Sequence, residues 1–286
     1  MMLARLAAVA AAALVTSGLA SSGLVASGLA ASAAEVPDAV RQAGTLHASV
    51  NAIYPPMEYK DAATGRLTGL DIDLGEALAK RLGLTVAWSD SAFEQLIPSL
   101  KTGRADLLIS GLTDTPARRD TMDFVDYLRT GPQFYALAAS PAKAAEDLCG
   151  LKVGTSRSTS FPAEIAAWSQ AHCVAAGKPA IVVVPAESTV DARAQLKQGR
   201  IDAAVQGSET VPYAMSLEPG AFRALGAPFA TGAQGIAFRK DEAALRDAVA
   251  DALRGLMADG TYGTIVARYG LGGNAVGSVA VNGAHP

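Results

Sequence analysis

Apolar positions along this chain recur with two different periods, and the periods alternate. Leu46 to Val50 reads as a strand and is followed by an Asn-Ala-Ile-Tyr-Pro-Pro turn. Tyr59-Lys60-Asp61 and Ala63-Thr64-Gly65 form a hairpin-style turn into Leu67. From Asp71 to Leu82 the residues Ile72, Leu74, Leu78, Ala79 and Leu82 fall near helical spacing, with Gly83 as the stop. Leu84 to Trp88 is a second strand, Phe93 to Lys101 a helix ended by Gly103, and Ala105 to Ser110 a third strand. The rhythm restarts after residue 150. Strands at Lys152 to Thr155, Ile181 to Val184 and Ile201 to Val205 enclose helices at Phe161 to His172 and Val190 to Lys197. The third strand of each half follows a near-copy, Leu-Lys-Thr-Gly-Arg-Ala-Asp at 100–106 and Leu-Lys-Gln-Gly-Arg-Ile-Asp at 196–202. Strands alternating with helices imply an α/β fold of two similar halves, each with a parallel sheet. Gly235 to Phe238 reads as a strand returning to the first half, and Asp241 to Leu256 and Thr261 to Tyr269 add two helices.

The N-terminus has a different composition. Residues 1–34 are almost all Ala, Leu, Val, Gly and Ser, with Arg5 the one charge. Leu6 to Val15 is an apolar stretch of h-region length, and Ala31-Ser32-Ala33-Ala34 fits a cleavage site before Ala34 or Glu35. The apolar run is short for a bilayer span, so the expectation is an exported protein with residues 1–34 removed. No cysteine precedes Cys149, which excludes a lipoprotein start. The two cysteines, Cys149 and Cys173, are a disulfide candidate in an oxidising compartment. Their loop of about 25 residues is worth roughly 3 kcal/mol on the chain-entropy view. Neither a metal nor a cofactor is implied, since the three histidines form no ligand pair with a cysteine at zinc spacing. A formal net charge of −3 without a basic block does not suit nucleic acid.

In open parallel sheets ligands sit beyond the carboxyl ends of the strands. There the chain carries Ser110-Gly111-Leu112-Thr113 through Arg118, Ser156 to Ser160 before a helix, and Gln206-Gly207-Ser208-Glu209. Hydroxyls and free N–H groups at a helix start attract anions, and a guanidinium clamps a carboxylate. A small anionic ligand between two lobes is the expected occupant.

Several motifs, in order, carry a resemblance: Tyr54-Pro55-Pro56-Met57-Glu58-Tyr59, Thr68-Gly69-Leu70-Asp71-Ile72-Asp73-Leu74, Phe93 to Leu100, Ile109-Ser110-Gly111-Leu112-Thr113 through Pro116-Ala117-Arg118, and Asp259-Gly260-Thr261-Tyr262. From about Gly44 to Gly272 the chain resembles the exported solute-binding proteins of ABC transporters, family 3, the branch of histidine, lysine/arginine and glutamine binders. The resemblance implies a two-lobed periplasmic-binding-protein fold that closes on its ligand about two crossing strands. Residues 35–137 plus 232–286 are then lobe 1 and residues 138–231 lobe 2. It implies a ring of Tyr54 and of Phe93 on either side of the ligand, N–H groups from Gly111 and Thr113, Arg118 on the α-carboxylate, and Thr159 and Ser160 from the other lobe. Each has a plainer reading: Arg118 as a solvated arginine, Tyr54 and Phe93 as packing aromatics, Thr159 and Ser160 as helix caps.

Two positions depart from the family. Gly207 stands where an aspartate normally pairs with the ligand's α-ammonium, and Asn51 where the basic-amino-acid binders carry an aspartate. Three readings remain open: Glu209 or Gln206 takes over the ammonium, the ligand lacks an ammonium, or Gly207 makes room for a bulkier ligand. Asp restored at 207 is expected to improve amino-acid affinity if the ammonium pocket is otherwise intact. The leading function is a monomeric transport receptor that hands a small carboxylate to a membrane permease. The alternatives are a dehydratase acting on prephenate-like acids, for which Glu58 and Glu209 are the available cleft carboxylates, and a sensing module.

Overall fold

A computed structural model describes residues 35–284. The segment read as a signal peptide lies outside the described residues. The first sheet has six strands, β1 (Thr45–Val50), β5 (Thr85–Asp90), β6 (Leu107–Leu108), β7 (Met122–Thr130), β13 (Gly232–Arg239) and β14 (Ala275–Val281), in the order β14-β7-β13-β6-β1-β5. β1 runs parallel to both β5 and β6, while β13 and β14 are antiparallel to their neighbours. A small antiparallel sheet of β2 (Ile53–Tyr54), β3 (Glu58–Lys60) and β4 (Leu67–Thr68) rides on it. The second sheet has the order β10-β9-β11-β8-β12, from β8 (Pro132–Leu137), β9 (Lys152–Ser156), β10 (Val182–Ala186), β11 (Ala203–Gly207) and β12 (Phe222–Ala224).

The helices of the first lobe are α1 (Asp38–Ala43), α2 (Leu70–Arg81), α3 (Phe93–Lys101), α4 (Pro116–Arg119), α8 (Ala243–Ala258) and α9 (Thr261–Arg268). Those of the second lobe are α5 (Phe161–His172), α6 (Thr189–Lys197) and α7 (Val211–Leu217). Leu70, Leu74 and Leu78 of α2 join Val249 and Leu253 of α8 and Tyr127 and Phe238 of the sheet in one buried core. The second lobe builds its own around Phe134, Leu148, Val153, Trp168 and Cys173. Phe134 stacks on Phe229 and meets Trp168 edge-on. The predicted disulfide is formed, with Cys149 and Cys173 Cα atoms 5.5 Å apart. It ties the segment before β9 to the end of α5.

Patterning assigned no element between residues 119 and 151, yet β7 and β8 lie there. β7 escapes notice because Asp123 and Asp126 interrupt its apolar run while being buried themselves. Asp123 is compensated by Lys240, Arg246 and Asn282. β8 falls within 35–137, but it pairs with β11 and so belongs to the second sheet. The chain therefore crosses between lobes at Gly131. It crosses back before β13, and the crossings touch there: a Cβ on Gly131 would lie 2.0 Å from the Ala230 carbonyl oxygen. Only glycine lets the two segments pass this closely. The third strand expected over 105–110 is a ladder at Leu107–Leu108 alone, although its flanks are mostly buried. β14, also unpredicted, closes the outer edge of the first sheet.

Candidate ligand-binding cleft

The carboxyl ends of β1, β6 and β9 and the N-termini of α3, α5 and α6 meet around a cavity of about 240 Å³. Asn51, Tyr54, Phe93, Ser110, Gly111, Thr113, Arg118, Thr159 and Ser160 all line it. A second cavity of about 670 Å³ shares Thr113, Arg118, Thr159, Ser160 and Phe161 and extends toward both interlobe crossings. Arg118 therefore stands between the two spaces.

The first lobe contributes most of the polar groups. Arg118, at the end of the short α4, donates from Nη1 to the Thr113 carbonyl at 2.8 Å. No ion pair closes on it among the described residues, although Glu164 and Asp114 act on it from a distance, and burial pulls its pKa down. A guanidinium held by one backbone carbonyl keeps donors free for a carboxylate. The next arginine differs: Arg119 forks onto Asp114 at 2.6 and 2.9 Å and is spent. Phe93, the first residue of α3, packs against the buried cluster that holds Leu96, Leu100 and Leu112 and also lines the cavity.

Below this surface lies an acidic floor. Ser110 Oγ donates to Glu58 Oε1 at 2.7 Å and accepts the Asn51 N–H at 2.9 Å. Glu58 is 1% exposed, touches the cavity, and has no donor on Oε2 among the described residues. Its neighbour is Asp71, fully buried at the start of α2. Asp71 accepts the Gly111 N–H at 2.8 Å and the Tyr127 hydroxyl at 2.8 Å. The N–H of Gly111 expected on a ligand is thus already committed to Asp71. Burial first, and the Asp71 charge second, push Glu58 well above the usual carboxylate range. Burial pushes Asp71 up to about 6, against the pull of Tyr127 and Gly111.

The second lobe presents its third strand differently from expectation. Gln206, Gly207 and Glu209 do not line the cavity. Glu209 turns toward the interlobe crossing and is 1% exposed. Its Oε1 accepts from Tyr54 Oη at 2.9 Å and Gln234 Nε2 at 2.7 Å, and its Oε2 from the Thr130 hydroxyl. Tyr54 Oη in turn accepts the Gly207 N–H at 3.1 Å. Tyr54 therefore screens Glu209 from the cleft as well as lining it. Gly207 has a physical reason to be glycine: a Cβ there would meet Glu209 Oε1 at 2.1 Å. The Glu209 carboxylate fills the space a side chain at 207 would enter, so the gap left by the missing aspartate is closed from two residues away.

At the start of α5, Thr159 Oγ1 donates to the Ser156 carbonyl and accepts the Phe161 N–H, so this hydroxyl acts as a local cap. Ser160 Oγ is buried at the cavity wall without a partner, which leaves it for a ligand. Glu94 of α3 and Glu187 before α6 add carboxylates to the lining, Glu187 paired with Arg157 at 2.6 Å. These two were not singled out in the sequence, and nothing in their local pattern marks them. Glu58 was named from the sequence as an available cleft carboxylate and does touch the cavity, whereas its neighbour Asp71 was not singled out as part of the site.

Comparison with known proteins agrees with this geometry. The family model of bacterial extracellular solute-binding proteins, family 3, matches residues 46–272. The arginine-binding protein ArgT of Corynebacterium glutamicum is 33% identical over 239 residues, covering 83% of this chain and 78% of the relative. A solved ancestral arginine-binding protein bound to arginine superposes with a TM-score of 0.71 at 31% identity, over 79% of this chain and 98% of the other. The ancestral amino-acid-binding protein AncCDT-1, a precursor of cyclohexadienyl dehydratase, gives 0.70 at 30% identity, over 81% and 98%. Fold, cleft and sequence converge: the chain belongs to the bacterial extracellular solute-binding proteins, family 3, and is a solute-binding receptor of the kind that serves ABC importers.

Proposed function

We propose that this receptor takes up an α-amino acid outside the cytoplasm and delivers it, as a monomer, to a membrane permease. The observation that carries the ligand class is a pair of unmatched groups on one small cavity. Among the described residues, Arg118 offers a guanidinium without an ion-pair partner, and Glu58 a buried carboxyl oxygen without a donor. A zwitterion supplies both complements, its carboxylate on Arg118 and Ser160 and its ammonium toward Ser110 and Glu58. A buried polar group left without its complement is costly, so such a ligand is favoured over a simple acid. Glu94 and Glu187 at the lining favour a cationic side chain, in keeping with the relatives named for arginine.

A second reading has its own observation. Glu209 is already satisfied by three donors, and Gly207 brings no carboxylate, so a 2-oxo or 2-hydroxy acid fits if Glu58 stays neutral. Dehydratase chemistry needs a positioned general acid or base at the ligand. Glu58 is the buried acid at the cavity floor with that position, and the relatives compared above are named as binding proteins. Export and removal of residues 1–34 complete the proposal.

A thermal melt of ligand-stripped protein tests it. The panel pairs L-arginine, L-lysine, L-histidine and L-glutamine with their 2-oxo analogues. A ligand at about 100 times its Kd stabilises by about 2.7 kcal/mol. Shifts from the amino acids alone support the proposal. Shifts from the deaminated acids alone replace it with the second reading.

A further inference from the structure

We propose that the cleft floor takes the ligand's cationic group in exchange for a proton, and that Glu58 is the residue that gives this proton up. The inference rests on the amino-acid reading above. Its geometric basis is independent of any ligand. Glu58 and Asp71 are neighbouring buried carboxyls, 1% and 0% exposed. Donors are distributed unequally between them. Asp71 has two, the Gly111 N–H and the Tyr127 hydroxyl. Glu58 has the Ser110 hydroxyl on Oε1 and none on Oε2. A carboxylate oxygen buried without a donor is costly. A proton on Glu58, shared with Asp71, removes that cost and leaves one negative charge on the pair in place of two.

The surroundings give no cheaper solution. From β2, Tyr54 faces this region, and from β7, Tyr127. Ser110 and Gly111 follow β6, and Glu209 follows β11. The strongest charges acting on Glu58 are those of Asp71 and Glu209, both negative. The charges acting most on Tyr127 are Asp71, Glu58 and Glu209. Arg118 stands elsewhere on the cavity wall, bonded to Thr113. The floor is thus an acidic patch that only a proton or an incoming cation can balance. Glu58 touches the cavity, so an ammonium or guanidinium set against Ser110 comes within range of it. The cation then does what the proton did: the O–H bond of Glu58 breaks, the proton leaves to solvent, and the new carboxylate faces the ligand. The pair titrates as a unit, so the released proton is counted per site.

Two consequences follow. Affinity for a cationic ligand rises with pH, by up to about tenfold per unit while the exchange is complete. The 2-oxo acid of L-glutamine, whose side chain is uncharged, brings no cation, releases no proton and shows no such rise.

The test uses two readouts on the protein. Infrared spectroscopy reads the carboxylic-acid C=O band of the ligand-free form. Asp126, pushed up to about 7 by burial and by Asp114, contributes there too, so the Glu58→Gln variant isolates the Glu58 share. Calorimetry of L-arginine, L-histidine and L-glutamine, in two buffers of different ionisation enthalpy, counts protons released. The expected result is a Glu58-dependent band that disappears on binding, with release approaching one proton at neutral pH and none in Glu58→Gln. A ligand-free protein without that band overturns the shared proton whatever the ligand is. Binding with the band unchanged and no proton released overturns the exchange and leaves the amino-acid reading intact. A band present with none of the three ligands bound removes the amino-acid reading, and the exchange falls with it.

Discussion

The two lobes open their third strands in the same way and end them differently. In the first, Asp106 of the Leu-Lys-Thr-Gly-Arg-Ala-Asp copy donates its N–H to the His47 carbonyl and accepts the His47 N–H on Oδ2, both at 2.8 Å. In the second, Asp202 does the same with Lys152, both again at 2.8 Å. Each aspartate clips its strand to the start of a parallel neighbour. Past the strands the likeness ends. Ser110 and Gly111 face a cavity floored by Glu58 and Asp71, whereas Gly207 gives way to Glu209, which leaves the cavity for Thr130 and Gln234. The scaffold is repeated, and the chemistry lies in the few residues beyond each strand end. This is where open parallel sheets bind their ligands.

The largest effect is expected from the cavity side of the first lobe. Arg118→Ala should weaken amino-acid binding by about 2–5 kcal/mol, as for truncating one partner of a buried charge pair. Calorimetry checks this, and Arg119→Ala, which removes an arginine already paired with Asp114, should leave affinity nearly unchanged. Next comes a difference in how the lobes are held together. The second lobe carries the Cys149–Cys173 bond, and its removal by Cys149→Ser with Cys173→Ser should cost about 3 kcal/mol. Limited proteolysis should then cut first between residues 149 and 173; cleavage elsewhere would mean the second lobe does not depend on the bond.

Smaller is the cost of crowding Gly207. A side chain there runs into the Glu209 carboxylate, so Gly207→Asp should destabilise by about 1–3 kcal/mol, the range for overpacking. It should not improve amino-acid affinity, contrary to expectation from sequence. With Glu209→Ala in the same chain the space is free, and most of the loss should return; a melt of single and double variants reads the coupling. Smallest is the strand clip. Asp106→Ala and Asp202→Ala should each cost about 1 kcal/mol, the net worth of an ordinary hydrogen bond. Unequal losses in denaturant titrations would break the equivalence of the lobes.

Much of this was legible in the sequence because it is local. Helical spacing located α3 and α5 to the residue, since Phe93 and Phe161 each open an amphipathic turn after a polar stretch. That Arg118 and Phe93 reach the cavity was readable from ordered motifs, and that Ser160 does so from the hydroxyl-rich stretch before α5. β7 was not, because the charges that break its pattern are balanced by Lys240, Arg246 and Asn282, more than a hundred residues away. The turn of Glu209 was hidden for the same reason. Its direction is set by Tyr54, Thr130 and Gln234, which come to it from the other lobe and the crossing strands. Glu58 was read as an available cleft carboxylate, but its place in a buried acidic pair depends on Asp71 and Ser110 closing around it.

The central claim is that the cavity reads both ends of a zwitterion, with Arg118 at one and the Glu58 floor at the other. It is tested most directly by calorimetry on three compounds that share a side chain: L-arginine, its decarboxylated amine and its 2-oxo acid. The account predicts tight binding of L-arginine and a loss of at least about 2 kcal/mol for each analogue, because each lacks one of the two charged groups that the cavity answers. A 2-oxo acid that binds as tightly as L-arginine would contradict the account, because the α-ammonium would then have no part in recognition.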